Sequence, residues 1–231
     1  MFNRTITKEL EAWKNKEDRK PLMMLGARQV GKTSVLKRFG KEQFDSCAYF
    51  SLDEEKGVGD IFRTTKNPLQ IIEQLSFLTE EPILPQKTLI VLDEIQDCPE
   101  AIGAMKYFCE KAPEYAVACA GSLLGLAFGH EGFSFPVGKV DHINMYPVTF
   151  SEFLEQKDSG LYRYYKSINS LEPLPQVFFD RLSQAFTAYR ISGGMPEAAM
   201  KMVEKDIKGV ENTLQNILQD YALDFVKHAS P

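Results

Sequence analysis

Four cysteines among 231 residues, with no CxxC pair and only three histidines, leave nothing from which to build a disulfide framework or a zinc site. Cys47, Cys98, Cys109 and Cys119 read instead as small buried hydrophobes in a reducing compartment, which predicts a cytoplasmic protein. The N-terminus, MFNRTITKEL, lacks the apolar core of a secretory signal. The most membrane-like stretch, Tyr115 to Gly129, is broken by three glycines and falls short of the roughly 20 apolar residues a span needs, so no membrane role is expected. An excess of basic charge is also missing. The net charge is −5, and a nucleic-acid partner is not indicated. His130, His142 and His228 share no spacing suited to a metal or a nucleophile, and no Ser/His/Asp or Cys/His arrangement stands out.

What is present is the composition of a globular chain with a sizeable core, 44% apolar and 26% charged, enough for one or two domains. Residues 1–40 carry ten Lys/Arg against four Asp/Glu, so the chain begins basic and continues acidic. Ile6, Leu10 and Trp13 share one face of a short helix over Thr5 to Trp13. The continuous apolar run Leu22–Leu25 and the largely apolar runs Thr88–Leu92 and Tyr115–Ala120 predict buried parallel strands, and a further strand is expected around Cys47–Leu52. Helices are expected over Thr33–Phe39, with Gly40 as the stop, over Leu69–Leu78 and over Glu100–Glu110. Alternating strands and helices predict an α/β fold of three αβα layers with a mainly parallel sheet. After about Tyr146 strand signals fade, and Phe150–Gln156, Pro175–Tyr189 and Glu197–Phe225 carry helical spacing. The division is therefore 1–145 for an α/β core and 146–231 for a smaller helical subdomain packed with it.

The strongest motif is Gly26-Ala27-Arg28-Gln29-Val30-Gly31-Lys32-Thr33, followed by Ser34. It matches GxxxxGK[ST], and it lies where that motif must, between a strand and a helix. Gly26 and Gly31 let the backbone curl so that successive N–H groups face phosphates, and the helix start adds its positive dipole end. Lys32 would reach the β- and γ-phosphates of ATP, and the Thr33 hydroxyl would ligate magnesium. Arg28 and Gln29 sit within the loop with no assigned role.

The second motif is the run Leu89-Ile90-Val91-Leu92 ending in Asp93-Glu94. Two carboxylates closing a buried strand lie at the sheet's carboxyl edge, where open α/β folds bind ligands. Asp93 fits a magnesium-holding acid beside Thr33, and Glu94 fits a general base that activates the attacking water. Ser122, ending the next strand, would touch the γ-phosphate or that water. Asn15-Lys16-Glu17-Asp18 spells a guanine-reading string, but it precedes the phosphate loop instead of following it, which argues against guanine.

Together LMMLGARQVGKTSVLKRF, TLIVLDEIQ, AGS, NMYPVTFSEFL and GGMPEA, in that order, resemble the bacterial and archaeal AAA-type P-loop ATPases that carry a C-terminal domain of unknown function. That group is related to the STAND-type branch of AAA+ proteins. The resemblance runs from about Phe2 to the last residues. It implies that the chain, which stops at Ser230-Pro231, is the N-terminal part of something longer. It also implies that the Gly193–Pro196 turn brings the helical part against the nucleotide. A plain helix-to-helix turn explains the same residues. Where many relatives have Gly-Arg, this chain has Gly138-Lys139, which loses the bidentate fork of an arginine finger; Arg190 is an alternative cation.

The reading is an ATPase with ATP and Mg2+ as cofactors, in which binding and cleavage move the helical part, and which has ADP as product and a possible homo-oligomeric or protein partner. A regulatory module that signals by occupancy, with little hydrolysis, is the alternative. A small-molecule kinase lacks an acceptor pocket and an arginine-rich lid here, and the acidic remainder of the chain disfavours a DNA-driven motor.

Overall fold

Strand β1 (Leu22–Leu25) is an interior strand of the sheet, apolar at every position and paired on both sides. In the computed structural model, which describes residues 1–122 and 135–228, the sheet has five strands in the order β2-β3-β4-β1-β5. The other strands are β2 (Ser46–Ser51), β3 (Thr88–Asp93), β4 (Ala116–Gly121) and β5 (Asp141–Asn144). Every pairing is parallel, with Leu25 level with Gly121 on one side and Asn144 on the other, and Ser51 level with Asp93. All six residues of β3 and all six of β4 are buried, as a sheet covered on both faces requires.

The chain divides into two compact units, Ile6–Met145 and Met1–Thr5 with Tyr146 onward. In the first, helices α1 (Thr7–Lys14) and α2 (Lys32–Gln43) accompany one face of the sheet. Helices α3 (Lys56–Thr64), α4 (Pro68–Ser76) and α5 (Pro99–Lys111) cover the other. The three layers predicted from the sequence are present. Alternation along the strands divides the core: Met23, Phe50, Ile90, Leu92, Val117 and Cys119 join the cluster under α3, α4 and α5.

Several elements depart from expectation. Gly40 does not stop α2, which continues to Gln43. A Cβ at Gly40 would stand 2.5 Å from Cys47 Sγ and 2.8 Å from Cys47 Cβ, so glycine is there to let the helix lie close on β2. Strand β5 was hidden because its sequence, Asp-His-Ile-Asn, buries only Ile143. Helix α3 was missed as well. The stretch expected as one helix from Glu197 is two, with Lys205 at φ 66 between them. His130, the second half of the Tyr115–Gly129 run and Ser230-Pro231 lie outside the described residues. No helix among the described residues is long and apolar enough to cross a membrane.

The second unit holds α6 (Phe150–Lys157), α7 (Ser159–Ser167), α8 (Gln176–Ser192), α9 (Pro196–Val203) and α10 (Ile207–His228). Glu152, 3% exposed, ties its start together. Thr149 and Glu152 form a capping box: the Glu152 amide donates to Thr149 Oγ1 at 3.2 Å, and the Thr149 amide to Glu152 Oε2 at 2.8 Å. The other carboxylate oxygen accepts from the Thr5 amide at 2.7 Å and its hydroxyl at 2.9 Å, with Arg4 Nε 3.3 Å from Oε2. Burial pushes the Glu152 carboxyl up, but the Thr149 and Thr5 amides and the Arg4 charge outweigh it and hold the group below its ordinary value. The Gly193-Gly194 turn is also internal to this unit. Both residues have positive φ, 65 and 74, and Gly194 packs against the Val148 carbonyl, to which Tyr189 donates at 2.9 Å.

Two outcomes follow for stability. Gly40→Ala should cost about 1–3 kcal/mol, as overpacking of a closed core does, measured by urea unfolding at neutral pH. A depressed carboxylate stabilises above its unfolded pKa of about 4.3 and loses that contribution as pH falls through the lower folded value. Glu152→Gln should therefore be less stable at neutral pH and flatten the acid limb of the stability profile, a difference that unfolding curves taken across that range would reveal.

Candidate functional site

Beyond Leu25 the chain must leave the sheet between two occupied strands. The Met145 amide donates to the Leu25 carbonyl at 2.6 Å, which brings the backbone after β5 against the backbone after β1. A Cβ at Gly26 would collide with the Met145 carbonyl oxygen. Only glycine fits. The loop then reverses through left-handed residues, Gln29 at φ 62 and Gly31 at φ 94, while Val30 is fully buried and anchors it. Gly31 is the N-cap of α2 and offers no side-chain acceptor to the first turn, whose leading amides have no intrahelical partner. A curled loop leading into an uncapped helix start is the cradle that phosphate oxygens require.

Lys32 is 7% exposed, an unusual position for lysine without anionic company. Its ammonium donates to the carbonyls of Gly26 at 3.0 Å and Ala27 at 2.8 Å, so it lies inside the loop. Burial lowers its pKa, Glu94 and Asp93 work in the opposite direction, and Arg28 adds to the lowering. Ala27, Gln29 and Ser34 are exposed around this core of the loop.

At the end of β3 the Asp93 side chain, 4% exposed, accepts from the Thr33 hydroxyl at 2.5 Å. The same oxygen accepts from the Tyr49 hydroxyl at 3.1 Å, and the other from the Glu94 amide at 3.1 Å. Two residues separated by 60 positions in sequence thus meet because β3 and β1 flank β4 and end on the same edge. Two oxygen donors of this kind suit magnesium, a hard cation that takes few protein ligands and completes its shell with phosphate and water. Glu94 has φ 49, a left-handed conformation that turns the chain into the short helix Ile95–Asp97. Its Oε2 accepts from Gln96 Nε2 at 2.6 Å. Ser122, just past β4, accepts from Arg28 Nε at 3.3 Å and so stands beside the loop.

Tyr49 and Gln96 escaped the sequence reading. Tyr49 looked like one more apolar residue of a strand, yet β2 pairs with β3 so that its ring reaches Asp93 and lies under the Lys37 ammonium, 3.2 Å from the ring centre. Burial, and next the Asp93 charge, push its hydroxyl up to about 12, so it stays a donor. Gln96 had a signal, its place two residues after Glu94. Lys139 is taken up by Glu110 at 2.9 Å, and Arg190 is exposed on α8. The string Asn15–Asp18 sits at the opposite edge of the sheet, where Lys16 contacts Asp141 at the start of β5, which excludes a base-reading role at this site.

No curated protein matches the chain. Among solved structures it resembles PCH-2 of C. elegans, at 9% identity and a TM-score of 0.51, over 92% of this chain and 70% of that one. A STAND ATPase with a tetratricopeptide-repeat sensor from Pyrococcus horikoshii matches at 14% identity and a TM-score of 0.47, over 88% of this chain and 30% of that one. The replication initiator DnaA, solved with AMPPCP and single-stranded DNA, matches at 15% identity and a TM-score of 0.47, over 96% and 66%. At 9% identity the likeness to PCH-2 speaks for the fold alone. The sequence profile described as an AAA domain matches residues 18–154, a span from the approach to β1 through most of α6 and hence the whole of the site. The chain belongs to the AAA domain family, whose general property is nucleotide binding and ATPase activity.

Proposed function

We propose that the chain binds ATP with Mg2+ in the loop Gly26–Ser34 and hydrolyses it, turnover shifting the helical residues that follow Tyr146. The observation that carries this reading is the Thr33–Asp93 contact across from the buried Lys32 ammonium. In this reading the amides of residues 27–34 and the α2 N-terminus hold the phosphate oxygens, and Lys32 exchanges its two loop carbonyls for the β- and γ-phosphates. Magnesium, held by Thr33 and through Asp93, would neutralise charge between those phosphates. Tyr49 keeps Asp93 aimed at Thr33 by donating to the shared oxygen. Glu94 accepts the proton of the attacking water, and Ser122, with Arg28, lies at the γ-phosphate end. The four cysteines, all free, suit the cytoplasm. A homo-oligomer or protein partner would receive the switch.

One observation favours a second reading. Glu94 is occupied by the Gln96 amide at 2.6 Å, and a base held in that way suits a regulatory module that signals by nucleotide occupancy. The two readings separate on one variant. Glu94→Gln should retain ATP and lose about 10²–10⁴ in turnover if Glu94 is the base. Equally slow release of phosphate by wild type and variant would leave the occupancy reading standing. Lys32→Ala should weaken ATP binding about 10- to 150-fold, the worth of a charge-assisted hydrogen bond. Titration calorimetry giving unchanged affinity would remove the loop as the nucleotide site.

A further inference from the structure

Among the described residues of the unit Ile6–Met145 most large apolar side chains are hidden, and the exposed ones are not scattered. Of its five exposed ones among the described residues, Leu69, Phe77, Leu78, Leu84 and Val137, four fall between positions 69 and 84. Phe77 is 81% exposed. A groove of about 530 Å3 runs here between α4 and the segment leading to β3, with buried Ile72 and Ile83 beneath it and Phe77 and Leu69 at its sides. Its charged lining is of one sign. Glu73, Glu80 and Glu81 face it, none has an ion-pair partner among the described residues, and no Lys or Arg occurs between Lys66 and Lys87.

The segment is also held in shape. The Thr79 hydroxyl reaches the carbonyls of Ser76 at 3.2 Å and Glu81 at 2.6 Å. Thr88 Oγ1 accepts from the Leu84 amide at 3.0 Å, and the Gln86 amide donates to the Glu114 carbonyl at 2.9 Å. A preformed surface loses little ordering entropy when something docks on it. Because the segment precedes β3, and Tyr115 precedes β4, the groove lies at the amino edge of the sheet, away from the phosphate loop.

We propose that this groove is a docking site for a basic amphipathic segment of a partner protein, with apolar residues at helical spacing entering beside Phe77 and flanking Lys or Arg meeting Glu73, Glu80 and Glu81. Charge selects this occupant over the others. Nucleic acid and anionic lipid are repelled by three unpaired carboxylates, and a second copy docking face to face would set those carboxylates against their equivalents. Apolar anchors in a groove with charges of complementary sign at the rim are the usual means by which one protein recognises a helical segment of another. This surface stands apart from the nucleotide reading and does not depend on it.

The test uses the full chain, 15N-labelled, titrated with synthetic amphipathic helices made of Leu and Lys, and of Leu and Glu. The Leu/Lys helix should shift amide signals of residues 69–84 and Tyr115. The double substitution Phe77→Ser and Leu78→Ser should weaken it by about tenfold or more, as loss of an anchor does, with an unchanged melting temperature. Glu80→Lys with Glu81→Lys should turn the preference to the Leu/Glu helix. The proposal is overturned by shifts elsewhere on the protein, or by a preference that charge reversal leaves unaltered. Self-association in sedimentation that Phe77→Ser abolishes would give the face to a second copy, and anionic-vesicle binding lost in that variant would give it to a membrane; either also defeats the proposal.

Discussion

The backbone after β1 has no room to leave the sheet except through a residue without a side chain. β1 is paired on both sides, and Met145, just past β5, hydrogen-bonds to the Leu25 carbonyl while its own carbonyl stands where a Gly26 Cβ would be. The turn that results delivers Gly31 to the head of α2 and carries Lys32 inward, under the loop instead of out to solvent. Everything in the site refers to that turn: the position of Thr33, hence the acid that Thr33 meets, hence the hydroxyl on β2 that steadies the acid.

Parallel topology does the rest. Since every strand points the same way, the chemistry carried at the ends of β1, β3 and β4 accumulates along one edge, and the basic first turns of the chain serve the other. The groove below α4 belongs to that second edge, so the same sheet separates the polar loop with its lysine and acids from an apolar groove rimmed by glutamates. Such separation lets a protein hold two ligands without either competing for the other's surface.

The second unit is organised around a buried carboxylate, not a glycine. Glu152 closes its own helix start and at the same time fastens Arg4 and Thr5, which is why the first five residues belong with the helices of the chain's second half. Gly193 and Gly194 serve the same unit: the first ends α8 in a left-handed turn, and the second admits the Val148 carbonyl.

Short apolar runs bounded by glycine or acid were readable as strands because burial on both faces tolerates nothing else, and GARQVGKT and the Asp-Glu pair were readable because their chemistry restricts residue choice at fixed spacing. β5 was not readable, since an edge strand needs only one apolar side chain, Ile143, to face inward. Gly40 was misread as a stop, because a glycine required by a close neighbour looks in sequence like one required by a turn. Tyr49 and Gln96 acquired their place only when β2 paired in register with β3 and when Glu94 took a left-handed turn. Glycine conformation and side-chain charge, both local in sequence, thus marked the loop and its acids as candidates from the sequence alone. Which hydroxyl and which amide steady those acids was decided by strand register and backbone reversal, long-range quantities that no window of sequence contains.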